Sequence, residues 1–256
     1  MRPPTRFRSH PASARLALRR DSGRTELWTE TVGALPSVYG ERWIERDGRT
    51  FRAFDPNRSK LSAAVVHGWS GELPSPGQRW LYLGAASGTT ASHVADLVGP
   101  HGRVYAVERS VRPFARLLEL SARWPNLLPI LADAREPRNY SDLVPPVDGL
   151  YADIAQPDQT EIAYRNAALF LSGAGGLLLI ALKTSSIGRE VGPAGHLARA
   201  ETELGSRFAL APSVKLDPFH RAHYLVGGRA RDPLFSERGT VSLTKRDGRR
   251  RARSAR

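Results

Sequence analysis

Four charged residues stand at the ends of successive apolar runs, where they could do chemistry together. Glu108 closes RVYAVE, Asp133 follows LLPILA, Asp153 follows DGLYA, and Lys183 closes GGLLLIALK. A carboxylate at such a position can accept hydrogen bonds from a ribose diol, and a second can accept from an exocyclic amine. An anion can also sit against a cationic group, and a lysine can act on a hydroxyl proton or on the negative charge that develops when it leaves. Any one of them could be a solvated loop charge, but four in succession line one rim.

The elements that must position them begin with Leu81 to Thr90, LYLGAASGTT, an apolar strand entering a glycine-rich turn with a helix start behind it. Gly84 and Gly88 permit tight backbone turns, and Thr89 and Thr90 are expected to cap the helix. Glu108 falls twenty residues after Gly88, the spacing of a nucleotide site in an α/β sheet. Beyond it, near-continuous apolar strands alternate with helical segments at Thr90 to Val98, Val111 to Ala122, Asp158 to Leu171 and Pro193 to Leu204. A segment near Phe208 to Leu216 and then HYLVGG end the chain's strands with only a turn between them. Parallel strands covered on both faces and an antiparallel finish give the expected fold class, α/β with a seven-stranded, Rossmann-like methyltransferase sheet. Ligands then belong at the carboxyl ends of its strands.

Before this sheet, residues 21–55 read as a small antiparallel β module, with Asp47-Gly48 as a hairpin dipeptide and Asp55-Pro56-Asn57 as the start of the next helix. Residues 56–230 read as the catalytic domain. The net charge of +13 is concentrated at the ends: residues 1–20 carry six Arg and no acid, and 231–256 carry nine Lys or Arg against three acids. Both are expected to be disordered basic tails, serving either as arms for RNA phosphates or as inert solvated chain. The body between them is near neutral. Cysteine is absent and His is scattered, so no disulfide, thiolate or metal site is expected. No apolar run suits a membrane span or a signal peptide, and the expected compartment is the cytoplasm.

In the order SVYGE, RSKL, YLGAASGTT, VYAVE, DAR, YADIAQPDQT, IALK and HYLVGG, the chain resembles the fibrillarin family over roughly 37–228. The long Gly-Arg leader of eukaryotic members is not in this sequence, so the likeness is to the short archaeal form. The resemblance implies S-adenosyl-L-methionine as cofactor and 2′-O-methylation of rRNA or tRNA ribose, guided by box C/D RNA. It also implies a Nop-family scaffold protein and a kink-turn RNA-binding protein in the same particle. On this likeness Gly84, Ala85, Thr89 and Thr90 flank the methionine moiety, Glu108 holds the ribose, Asp133 and Ala134 contact adenine, and Asp153, Ile154, Ala155 and Gln156 form the floor. Arg109 departs from the family, which has an aromatic after the acid. A catalytic set is implied at Lys60, Asp153, Lys183 and His223. Two other activities fit the same sheet: methylation of a protein glutamine, and a nucleotide-dependent oxidoreductase, against which GAASGTT lacks G-x-G-x-x-G.

Overall fold

The computed structural model describes residues 6–21, 24–33, 37–186 and 191–231, so the expected basic tail at 231–256 lies outside the described residues apart from Arg231. Two sheets build the molecule. The first has strands β1 (Arg6–His10), β2 (Ser13–Asp21), β3 (Arg24–Glu30), β4 (Trp43–Arg46) and β5 (Arg49–Ala53), all antiparallel, in the order β1-β2-β3-β5-β4. Asp47 and Gly48 both have positive φ in the β4–β5 turn, the geometry the dipeptide predicts.

The expectation of a disordered tail over 1–20 is therefore corrected for residues 6–20, which form a β-hairpin. Composition misled because alternation matters more than arginine content. Leu16 and Leu18 face the main core, whereas Phe7 and Ala17 pack on the other face with Trp28 and Phe51. The arginine stems cover that second face: Arg19 and Arg42 lie over the Trp28 ring, Arg46 over Phe7 and Arg49 over Phe51. The antiparallel module accordingly spans 6–53 rather than 21–55.

The second sheet contains β6 (Arg79–Leu83), β7 (Arg103–Glu108), β8 (Leu127–Leu131), β9 (Gly149–Ala152), β10 (Leu177–Lys183), β11 (Phe208–Leu210) and β13 (His223–Ala230), ordered β11-β13-β10-β9-β6-β7-β8. β13 runs antiparallel between β10 and β11, and β6 to β10 run parallel. The segment expected as one strand over Phe208 to Leu216 divides into β11 and a two-residue β12 (Val214–Lys215), which also pairs with β13. Pro212, with no N–H for the ladder, falls in the gap.

Helices α1 (Lys60–Val66), α2 (Thr89–Val98) and α3 (Val111–Ser121), with the first sheet, cover one face; α4 (Gln159–Phe170) and α5 (Gly192–Gly205) cover the other. α1 starts later than Asp55 suggests. Asp55 Oδ1 instead accepts from the Asn57 N–H at 2.8 Å, and Ser59 caps α1 by accepting from Ser62 N.

The two sheets are joined through α2 by a buried polar cluster. Arg52 of β5 donates from Nε to Asp96 Oδ2 at 2.6 Å, from Nη1 to Glu41 Oε1 at 2.8 Å and from Nη2 to Ser92 Oγ at 2.8 Å. Asp96 also accepts from Thr29 Oγ1, Val32 N and Trp124 Nε1. This fixes α2, whose N-terminus opens on the strand-end rim.

Candidate active site at the strand ends

Glu108, Asp133, Asp153 and Lys183 do leave the sheet on a single rim, because β7 to β10 are parallel and in register. The turn after β6 brings the backbone close to it. Gly84 has φ +79°, and a Cβ there would stand 2.4 Å from the Asp153 carbonyl oxygen. Gly88 has φ +90°, and a Cβ there would strike Leu120 of α3 at 2.4 Å. Only glycine fits either position without displacement. Gly88 is also the N-cap of α2 and gives no side-chain cap hydrogen bond. The expectation that Thr89 and Thr90 cap this helix is thus corrected: both lie inside its first turn, and Thr90 Oγ1 donates to Ser59 Oγ. The uncapped N–H groups and the helix dipole leave a place for an anionic group.

Glu108 is buried, and each of its oxygens accepts one backbone N–H, from Ala86 at 2.9 Å and Ser110 at 2.7 Å. A carboxylate has about four acceptor directions, so capacity remains for a diol. Beside it, Gly84, Glu108, Arg109, Asp133, Ala134 and Gln156 line one cleft with apolar walls that include Val107 and Ile154. An apolar slot with a carboxylate at each edge suits a nucleoside.

Arg109 reaches Asp133 Oδ2 at 3.5 Å. The polar edge also uses a residue that sequence reasoning did not assign. Arg135 lies 3.6 Å from both Asp133 and Asp158, and donates to Gln156 Oε1 at 2.6 Å. Ala85 is buried in the turn, whereas Ala155 is exposed and is not among the residues lining the cleft.

The remaining candidates gather at the other end of the rim. Lys60, first residue of α1, donates to Asp153 Oδ2 at 2.8 Å, both side chains being about one-fifth exposed. Lys183 ends β10 directly opposite His223, which begins antiparallel β13. Gln159 pins that strand end, accepting from Lys183 N at 2.8 Å and donating to its carbonyl at 3.0 Å. Among the described residues Lys183 has no carboxylate partner.

His220, also unassigned from sequence, has its ring 6.1 Å from that of His223 and bonds through Nε2 to the Pro56 carbonyl. Burial lowers both histidine pKa values, and the Lys60 ammonium lowers them further. Beneath Asp153, Tyr82 and Tyr151 pack ring to ring, and burial keeps both phenols un-ionised.

Comparison with known proteins places the sequence and fold in one family. A family model described as Fibrillarin matches residues 10–232. A fibrillarin-like rRNA/tRNA 2′-O-methyltransferase of Thermococcus gammatolerans is 40% identical over 205 residues, covering 80% of this chain and 90% of that protein. Aeropyrum pernix fibrillarin with natively bound S-adenosyl-L-methionine superposes with a TM-score of 0.77 at 37% identity, over 89% of this chain and 100% of the other. A fibrillarin in complex with Nop5p superposes with a TM-score of 0.75 at 38% identity, over 85% and 98%. The family match begins at His10, the last residue of β1, and so takes in β2 and all the strands after it. On sequence and fold alike, this chain belongs to the fibrillarin family.

Proposed function

We propose that the strand-end rim binds S-adenosyl-L-methionine and directs its methyl group to a ribose 2′-hydroxyl of rRNA or tRNA. The observation that carries this is the juxtaposition of a cleft with apolar walls and carboxylate edges with the Lys60–Asp153 pair, Lys183 and His223 on one rim. It is supported by a relative described as acting on rRNA and tRNA and by a structural neighbour holding the cofactor. S-adenosyl-L-methionine, when bound, supplies an electrophilic methyl group on a cationic sulfur.

The chain's own residues do the rest. Glu108 accepts from the ribose hydroxyls of the cofactor, Asp133 and the Ala134 backbone meet the adenine edge, and the first turn of α2 with Thr89 and Thr90 receives the amino-acid end. Arg109 replaces an aromatic with a guanidinium plane held by Asp133, which can stack on the base.

A ribose hydroxyl is a poor nucleophile at neutral pH, so its proton must be removed or its developing charge offset. Lys183 is assigned to that hydroxyl. Asp153 holds Lys60 by an ion pair, and the pair fixes the polarity of the pocket against which the hydroxyl is placed. His223, opposite Lys183 and kept neutral by burial, completes the wall without adding a further cation.

The positive charge of the folded body attracts RNA phosphates without regard to sequence, and so does not by itself select one nucleotide in a long RNA. We therefore assign selection to a box C/D guide RNA, with a Nop-family scaffold and a kink-turn RNA-binding protein carrying this chain to the target. The scaffold assignment is supported by the neighbour solved with Nop5p. Calorimetry tests the cofactor: S-adenosylhomocysteine is expected to bind and NAD to fail. The reverse result would restore the oxidoreductase assignment. Full single-site methylation by the purified chain alone would overturn the guided assignment.

A further inference from the structure

A second cleft opens beside the catalytic end of the rim, lined by Tyr39, Arg42, Asn57, Arg58, Val66 and Phe219 among others. Its volume of about 650 Å³ lies within the roughly 300–1,000 Å³ of ligand-binding pockets, room enough for part of a polymer strand. Its wall residues adjoin the catalytic residues along the chain. Arg58 lies two residues before Lys60, Phe219 adjoins His220, and His220 is bonded to the Pro56 carbonyl on the cleft wall.

Each acid of this cleft has at least one partner within the protein, although Glu26 Oε2 is buried without one. Glu26 pairs with Arg42 at 2.5 Å, and Glu41 takes Arg52 and the backbone N–H groups of Val38 and Tyr39. Asp55 is held by Asn57 through its N–H and its side chain. Arg58 differs: it is exposed, and among the described residues it has no carboxylate within ion-pair distance. Its guanidinium instead lies over the Tyr39 ring, 5.6 Å from the centroid. That ring is a fixed platform, because the Tyr39 hydroxyl bonds to the Ala53 carbonyl and to His93 Nε2, both at 2.9 Å. An exposed cation on a rigid aromatic, with a half-exposed Phe219 on the same cleft, combines phosphate attraction with a surface for a base.

We infer that this cleft grips the target RNA strand beside the nucleotide being methylated, with Arg58 on a phosphate and Phe219 against the adjoining nucleotide. The inference rests on the ribose-methylation reading and adds the surface that holds the acceptor strand. Arg58 is a positioning residue here, since it touches the substrate away from the reacting oxygen.

The test uses the full chain reconstituted with scaffold protein and guide RNA, comparing wild type, Arg58→Ala and Arg58→Lys at saturating cofactor. Arg58→Ala is expected to raise KM for the target RNA about tenfold and leave kcat near wild type. The log–log salt dependence of kcat/KM should flatten by about one unit, because one phosphate contact is lost. Arg58→Lys is expected to restore the salt slope and only part of the affinity, since an ammonium does not stack as a guanidinium does. Thermal midpoint and S-adenosylhomocysteine affinity should not move in either variant.

Unchanged KM and salt slope in Arg58→Ala would overturn the inference. So would weaker binding to the scaffold with RNA affinity intact, which would give the cleft to the protein partner. A wild-type particle that methylates no ribose would instead overturn the function on which the inference is built.

Discussion

Two carboxylates, Asp96 and Asp153, show how the same side chain serves opposite ends. Asp96 is fully buried and saturated, with Arg52 as counter-ion and Thr29, Val32 and Trp124 as further donors. Asp153 stands on the rim, partly exposed, with Lys60 as its one ion-pair partner among the described residues. Every acceptor position around Asp96 is spent on joining β3, β5, α2 and Trp124, so it holds a scaffold together and has nothing left for a ligand. Asp153 keeps unused capacity toward solvent. A charge saturated within the protein is structural, and one left partly unsatisfied at a strand end is available for chemistry.

Changes at each cluster should have different readouts. The largest effect is expected from Lys183→Ala, which should lower turnover at saturating cofactor by about 10² to 10⁴ with little change in cofactor affinity, because the interaction matters mainly in the transition state. Near-normal single-turnover rates would remove Lys183 from the mechanism. Asp96→Ala should leave Arg52 buried with only Glu41 and lower unfolding stability by about 3–5 kcal/mol. Denaturant titration measures this, and a loss below about 1 kcal/mol would make the cluster dispensable.

Glu108→Ala should weaken S-adenosylhomocysteine by about 1.5–3 kcal/mol in calorimetry, the value of a charged buried hydrogen bond. Unchanged affinity would mean that the ribose lies at another strand end. The smallest effect concerns pH. Burial holds His93 well below its ordinary pKa of 6.5, with Arg52 adding to the effect. Below pH 6.5 the unfolded chain therefore binds a proton that the native state refuses, and stability present above that pH is lost as pH falls. Melting temperature should decline from pH 7 toward pH 5, less steeply in His93→Gln. An unaltered slope in that variant would assign the loss to His10, His220 and His223, whose pKa values are also lowered by burial.

Much of the catalytic half was legible in the sequence because its strands are buried on both faces and read as continuous apolar runs. The strand-end residues follow from those runs. Their mutual placement does too, since parallel strands present all their carboxyl ends on one side, and the antiparallel β13 brings its first residue, His223, to that side.

The first hairpin was not legible from composition, because its Arg19 covers the Trp28 ring of β3 and its Phe7 is covered by Arg46 of β4. The apolar run Leu16-Ala17-Leu18, flanked by Arg15 and Arg19, was the available signal. Arg135, His220 and the Arg52–Asp96 cluster were invisible for a different reason. Arg135 meets Gln156, Arg52 meets Asp96 and His220 meets Pro56 across 21, 44 and 164 residues, and no local spacing encodes contacts of that range. Gln159 lay within a quoted motif, ADIAQPDQT, yet its work of pinning Lys183 appears only when β10 is placed beside α4.

The most direct test of the central claim is the position of the transferred methyl group. The particle is reconstituted with scaffold and guide, supplied with isotopically labelled S-adenosyl-L-methionine and a complementary rRNA fragment, and the RNA and protein are digested to nucleosides and amino acids for mass spectrometry. The account predicts label on one 2′-O-methylnucleoside at the guide-specified position, absent when the guide is omitted. Label on a base, on a glutamine of any protein present, or at several riboses regardless of the guide would contradict it.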